Sequence, residues 1–135
     1  MRQRTIAPFS LLIAVLASGF AMAHADTAPR SFTVQGYETA GAWHLESTDG
    51  AQFIVLSKDF KTSDGPDLKI FLSPQAIGTV NGTNVTKKAL RVAKLKSNKG
   101  AQRYKLPAGT DLKRFKSLAI HCEKYSKLFA ASSLR

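Results

Sequence analysis

The chain has 135 residues, a formal net charge of +11 and one cysteine. That length suits one ordinary domain that buries a core without disulfide staples, and a single cysteine excludes an internal disulfide. The basic excess is concentrated between Lys87 and Lys116, where Asp111 is the one acid, and reads either as a solvated basic face or as a field that attracts anionic partners.

Residues 1–25 read as a signal peptide. Arg2 and Arg4 supply the positive start, an apolar run follows from Ile6 to Ala23, and Ala-Met-Ala-His-Ala precedes Asp26. Cleavage after Ala25, with Ala23 as the alternative point, leaves residues 26–135 as one periplasmic or secreted domain. Loss of Arg2 and Arg4 then leaves 18 basic side chains against 9 acidic ones, net +9. No later stretch reaches the roughly 20 apolar residues of a spanning helix, and a monomer is expected. Export removes nucleic acid as a natural partner. Anionic lipid head groups, envelope polysaccharide or an acidic protein remain for the basic segment.

Beyond residue 26 the signals are those of strands. Phe32, Val34 and Gln35 start a first strand before Gly36. Strands near 42–47 and 51–57 flank Asp49-Gly50, a hairpin dipeptide. Another covers 68–73, introduced by Ser-Asp-Gly-Pro and stopped by Pro74. Residues 75–86 are rich in glycine and asparagine and read as an exposed loop or irregular hairpin. The pattern over 89–95 fits a short helix or a strand. Over 101–106, Gln102, Tyr104 and Leu106 share one face. A helical turn is expected over 111–115, capped by Thr110 or Asp111. Strands 117–123 and 127–133 close the chain. Short strands with turn chemistry between them predict an all-β fold, an antiparallel sandwich or barrel in a single domain.

In strand 117–123, alternation puts Leu118, Ile120 and Cys122 on one apolar face, with Ala119, His121 and Glu123 on the other. Cys122 therefore reads either as a buried small hydrophobe or as a reactive thiol stabilised by Lys124 or Lys127. Adjacent His121 points away from it, so a direct pair needs a bulge. The histidines and Cys122 lack zinc or haem-attachment spacing, and no metal site is expected. Non-covalent haem is chemically open, as is the absence of any cofactor. Met1 and Met22 leave with the signal, so methionine is no ligand. Asp59, Asp64 and Asp67 lack the calcium-loop spacing and read as turn residues. Asn81-Gly-Thr and Asn84-Val-Thr match the short glycosylation pattern.

Three segments in order resemble the DM-thirteen domain, an electron-transfer family: 59–74, 95–107 and 111–134. The matching positions are Asp59, Phe60, Gly65, Pro66, Asp67, Leu68, Gly100, Gln102, Tyr104, Cys122, Phe129 and Leu134. The resemblance covers the mature chain and implies a small extracytoplasmic β module. It further implies a cysteine, here Cys122, that acts in redox chemistry as a bare thiol or as a ligand to a group such as haem. His121 stands where many members carry a bulky aromatic, adding either a ligand or proton donor or an exposed strand residue. The expected function is electron transfer centred on Cys122, with Gly65, Pro66 and Asp67 fixing a nearby turn and Tyr104 packing beside it. The basic segment would dock an acidic redox partner. The alternative is a non-enzymatic binding module for anionic envelope material or an acidic protein, with Cys122 in the core.

Overall fold

The computed structural model describes residues 27–34 and 36–135. The expected signal peptide, its cleavage point, His24 and Gln35 lie outside those residues.

Eleven strands are described: β1 (Arg30–Ser31), β2 (Thr33–Val34), β3 (Thr39–Ala40), β4 (Ala42–Thr48), β5 (Ala51–Leu56), β6 (Lys61–Thr62), β7 (Leu68–Ser73), β8 (Leu90–Lys94), β9 (Gln102–Lys105), β10 (Ser117–Cys122) and β11 (Lys127–Ser133). They pair as a four-stranded sheet in the order β1-β4-β5-β9, a five-stranded sheet β2-β11-β10-β7-β8, and the small pair β3-β6. Every pairing is antiparallel. In this all-β sandwich β9 alternates buried and exposed residues as a half-buried strand does, whereas β7, β10 and β11 are covered on both faces.

Local chemistry sets the strand ends. Asp49 and Gly50 both take positive φ, 51° and 75°, as a two-residue hairpin turn requires, and this registers Thr48 against Ala51. β7 runs from just after the Pro66–Asp67 turn to just before Pro74. The ambiguous 89–95 segment is a strand because Leu90 to Lys94 complete an edge of the five-stranded sheet. The helical turn is a short 3-10 turn, Leu112–Arg114, capped by Asp111, whose side chain accepts from the Lys113 amide. Among the described residues, no helix is long and apolar enough to cross a membrane.

The main core lies between the sheets. Trp43, Ile54, Leu56 and Tyr104 from one meet Ile70, Leu72, Leu118, Ile120 and Cys122 from the other. A second, smaller core covers the outer face of the five-stranded sheet, where Val80 and Val85 pack with Ala119, Leu128 and Ala131. The 75–86 segment is therefore an irregular loop, as expected, but one that buries valines instead of standing in solvent.

Candidate functional site

Cys122 is the last residue of β10, which lies between β7 and β11. Against β7 the register is regular, with Leu68 opposite Cys122 and Lys69 opposite His121. Against β11 it slips between Ile120 and His121. The slip leaves Phe129 as an extra, unpaired residue, and a bulge of this kind re-aims a side chain. Phe129 consequently joins the same core cluster as Leu68 and Cys122. The Tyr37 ring lies flat on Phe129, centroids 4.0 Å apart and planes within 5°. Cys122 itself is 1% exposed and is free of any disulfide.

The turn before β7 supports this strand end. A β-carbon on Gly65 would lie 2.7 Å from Leu68 Cδ2 and 3.0 Å from Phe129 Cζ, so glycine lets both close in. Pro66 and Asp67 make the turn, and the Asp67 carbonyl accepts from the Glu123 amide at 3.2 Å. On the outer face Lys69 binds Asp67, with Nζ–Oδ1 at 3.1 Å, and also Glu123, which Arg91 binds as well. Hydrogen bonding from Lys69 holds both carboxyls below their ordinary range. In return Glu123 first and Asp67 second raise the Lys69 ammonium.

The remaining family-motif residues build turns. Asp59 Oδ1 accepts from Ser57 Oγ, which in turn accepts from the Ala42 amide. Buried Phe60 meets Phe32 at 5.8 Å between centroids and accepts from the Gly100 amide at its carbonyl. Gly100, at φ 91°, closes the turn before β9. Gln102 Nε2 donates to the Ser97 and Gly100 carbonyls, and its Oε1 accepts from the Ser97 amide and the Tyr104 hydroxyl. That hydroxyl accepts from the Lys96 amide at 2.9 Å, and burial raises the Tyr104 pKa. Tyr104 shares the core cluster with Cys122, while its polar contacts serve the 95–101 turn. Leu134 closes the far end, its amide bound to the Lys116 carbonyl.

His121 differs from the exposed strand residue that one reading allowed: it is 2% exposed. Its outer face is covered because the 75–88 loop lies across it. Nε2 is 2.8 Å from the Gly82 carbonyl, and Phe71 meets the ring edge-on. Nδ1 is buried without a hydrogen-bond partner. Because Cys122 faces the main core and His121 faces the loop, the two do not converge on one ligand. These two closely packed sides do not fit a haem held between them. Neither residue lines the surface groove of about 560 Å³ that Tyr37, Gly82, Thr83 and Lys127 border.

The acids are dispersed in the same way. Asp59 serves Ser57, Asn98 donates to Asp64, and Asp67 serves Lys69. Among the described residues, no group of histidine, cysteine and carboxylates could hold a metal ion. Asn81 and Asn84 are turn residues: Asn81 Oδ1 accepts from the Thr83 and Asn84 amides, and Asn84 Oδ1 from the Asn81 amide.

Sequence reasoning did not single out Tyr37, Lys69, Gly82 or Arg91. Lys69 was signalled by the alternation of 68–73, which puts it on the face opposite Leu68. The partners of the others come from distant segments and leave no local pattern. The family model described as "Electron transfer DM13" matches residues 31–134. No curated protein and no solved structure matches the chain.

Proposed function

Because this chain belongs to the electron-transfer DM13 family, we propose that it is an exported carrier of reducing equivalents whose redox group is the Cys122 thiol. The observation that carries this reading is the place of the chain's one cysteine: the last position of an inner strand, directly before the Glu123–Ser126 turn. The bare thiol is favoured over a cofactor ligand by the divergence of Cys122 and His121.

In this reading Cys122 gives its proton to solvent, and its thiolate attacks a disulfide on an oxidised partner. The partner's S–S bond breaks, a bond from Cys122 to one partner sulfur forms, and the other sulfur departs as thiolate. A thiolate of a dithiol reductant then attacks the Cys122 sulfur and releases the second partner sulfur as thiolate, and the reductant's other thiolate attacks its own bridging sulfur and releases Cys122. The two partner sulfurs are reduced and take up the protons that the two reductant thiols lose, the reductant leaves with an internal disulfide, and Cys122 regains its proton from solvent. Burial makes the exchange gated, through local opening of the strand end.

Native alkylation should be much slower than alkylation of the unfolded chain, yet accelerate in sub-denaturing urea. Exchange with an aromatic disulfide should release one thiolate per chain. A thiol inert in the folded protein, with a Cys122→Ser chain that still supports reduction of its partner, overturns the proposal. The second reading, a binding module with a structural cysteine, draws on the 1% exposure of Cys122. Its mark is full function in Cys122→Ala.

A further inference from the structure

We propose that the end of the sandwich bearing Cys122 is the docking face for an acidic redox protein, held by the exposed lysines of that end together with the exposed ring of Tyr125. The inference rests on the redox reading above for the nature of the partner, and on independent geometry for the face.

Several turns converge at that end. Lys124 and Tyr125 lie in the turn after Cys122, and Lys127 stands opposite Cys122 on β11. Lys94 stands opposite Lys69, and the next residue, Leu95, binds through its amide to the Leu68 carbonyl beside Cys122. Asn98, next to Lys99, reaches Asp64 just ahead of the Gly65–Asp67 turn. Lys94, Lys99, Lys124 and Lys127 are all exposed, and none forms an ion pair among the described residues. Asp67 and Glu123 at the same end are already bound to Lys69 and Arg91. The four lysines thus carry a positive excess, which Asp64, bound by Asn98, and Asp67, which interacts with Lys94, offset only in part.

Two features argue that this field serves a partner. Lys99 is bridged directly to Lys61, a like-charge opposition that costs stability and that folding does not require. Tyr125, the exposed large hydrophobic among the described residues, is 58% exposed, with the Lys124 ammonium 5.4 Å from its centroid. Aromatic side chains anchor protein interfaces. One aromatic anchor within a lysine field matches the small, electrostatically steered interfaces of transient redox complexes. An anionic polymer or lipid surface would draw equally on the basic residues at the opposite end, Lys113, Arg114 and Lys116, which precede β10.

The test uses the exported chain carrying Cys122→Ala, so that it is blind to thiol chemistry, and a labelled helical peptide with glutamates along one face. Anisotropy titrations should show binding at low salt that weakens steeply as salt screens the charges. The variant with Lys94, Lys99, Lys124 and Lys127 all changed to Gln should bind at least tenfold more weakly. Tyr125→Ala should weaken binding several-fold, and the Lys113, Arg114 and Lys116 to Gln variant should bind like the parent. Should the fourfold variant unfold, Lys124→Gln and Lys127→Gln singly, both in or beside an exposed turn, carry the same comparison. Absence of peptide binding at low salt overturns the proposal. So does equal loss in the opposite-end variant, or an unchanged Tyr125→Ala. Vesicles of phosphatidylglycerol or polygalacturonate that bind with equal dependence on both ends also overturn it, in favour of a polyanion. Failure of the redox reading appears elsewhere, as an inert native thiol with this docking intact.

Discussion

Leu68 and Phe129 approach each other beside Cys122 only because Gly65 carries no side chain. A methyl at Gly65 would sit 2.7 Å from Leu68 Cδ2, closer than carbon atoms tolerate, and both side chains are held in a packed core. Overpacking of this kind costs about 1–3 kcal/mol. Gly65→Ala should lower the urea midpoint accordingly and, by loosening the strand end, speed alkylation of Cys122; an unchanged midpoint would show that Leu68 can move aside freely. Glu123 makes a second prediction at this scale. Lys69 and then Arg91 lower its folded pKa below the ordinary 4.5, so the folded state binds the proton less readily than the unfolded chain. The contribution is complete above about pH 4.5 and disappears as pH falls through the lower folded value. Urea midpoints measured from pH 7 to pH 3 should fall only in the acid range, and the fall should be shallower in Glu123→Gln. Equal slopes in the two proteins would mean that this half-buried network contributes nothing, as many ion pairs at the surface do.

The 75–88 loop behaves as a structural element although it is built of turns, with neither helix nor strand. Val80 and Val85 fix it to the outer face of β10 and β11, and the Gly82 carbonyl meets His121. A β-carbon on Gly82 would stand 2.1 Å from the Ser126 carbonyl oxygen. Backbone cannot rotate away as a side chain can, so Gly82→Ala should lift the loop. Hydrogen exchange at the Val85 amide, bonded to the Asn81 carbonyl, should then quicken while β4 and β5 amides keep their protection. Protection retained at Val85 would count against the loop as a cover. This element also marks where the sequence stops being legible. β7 could be read because a Gly-Pro turn and Pro74 bound it, and the inward direction of Cys122 followed from alternation alone. Burial of His121 could not be read, because its cover is aperiodic and lies 39 positions away at Gly82. Phe129 required the bulge, and Lys69 with Glu123 joins residues 54 positions apart. Local pattern sets which face a side chain takes, whereas only the assembled sheets determine what meets it there.

At the scale of the whole molecule, the N-terminal segment joins the two sheets. β1 pairs with β4 in one sheet, and two residues later β2 pairs with β11 in the other. Ser132 Oγ donates to the Ser31 carbonyl at 2.8 Å, tying the segment to the last strand. Between the two pairings Phe32 packs against Phe60, and Arg30 lies 5.2 Å from the centroid of fully buried Trp43. Such a clamp closes last if pairing of distant segments is slow, since loop-closure entropy must be met before the contacts form. Starting the chain at Gly36 would remove both short strands and leave the edges of β4 and β11 unpaired, which invites association between copies. Trp43 is the one tryptophan of the chain, so its emission reports the loss directly. The shortened protein should emit further to the red, unfold at lower urea and associate at concentrations where the longer form does not. Emission and urea midpoint identical to those of the longer chain would mean that β4 and β5 hold the Trp43 side of the sandwich closed by themselves.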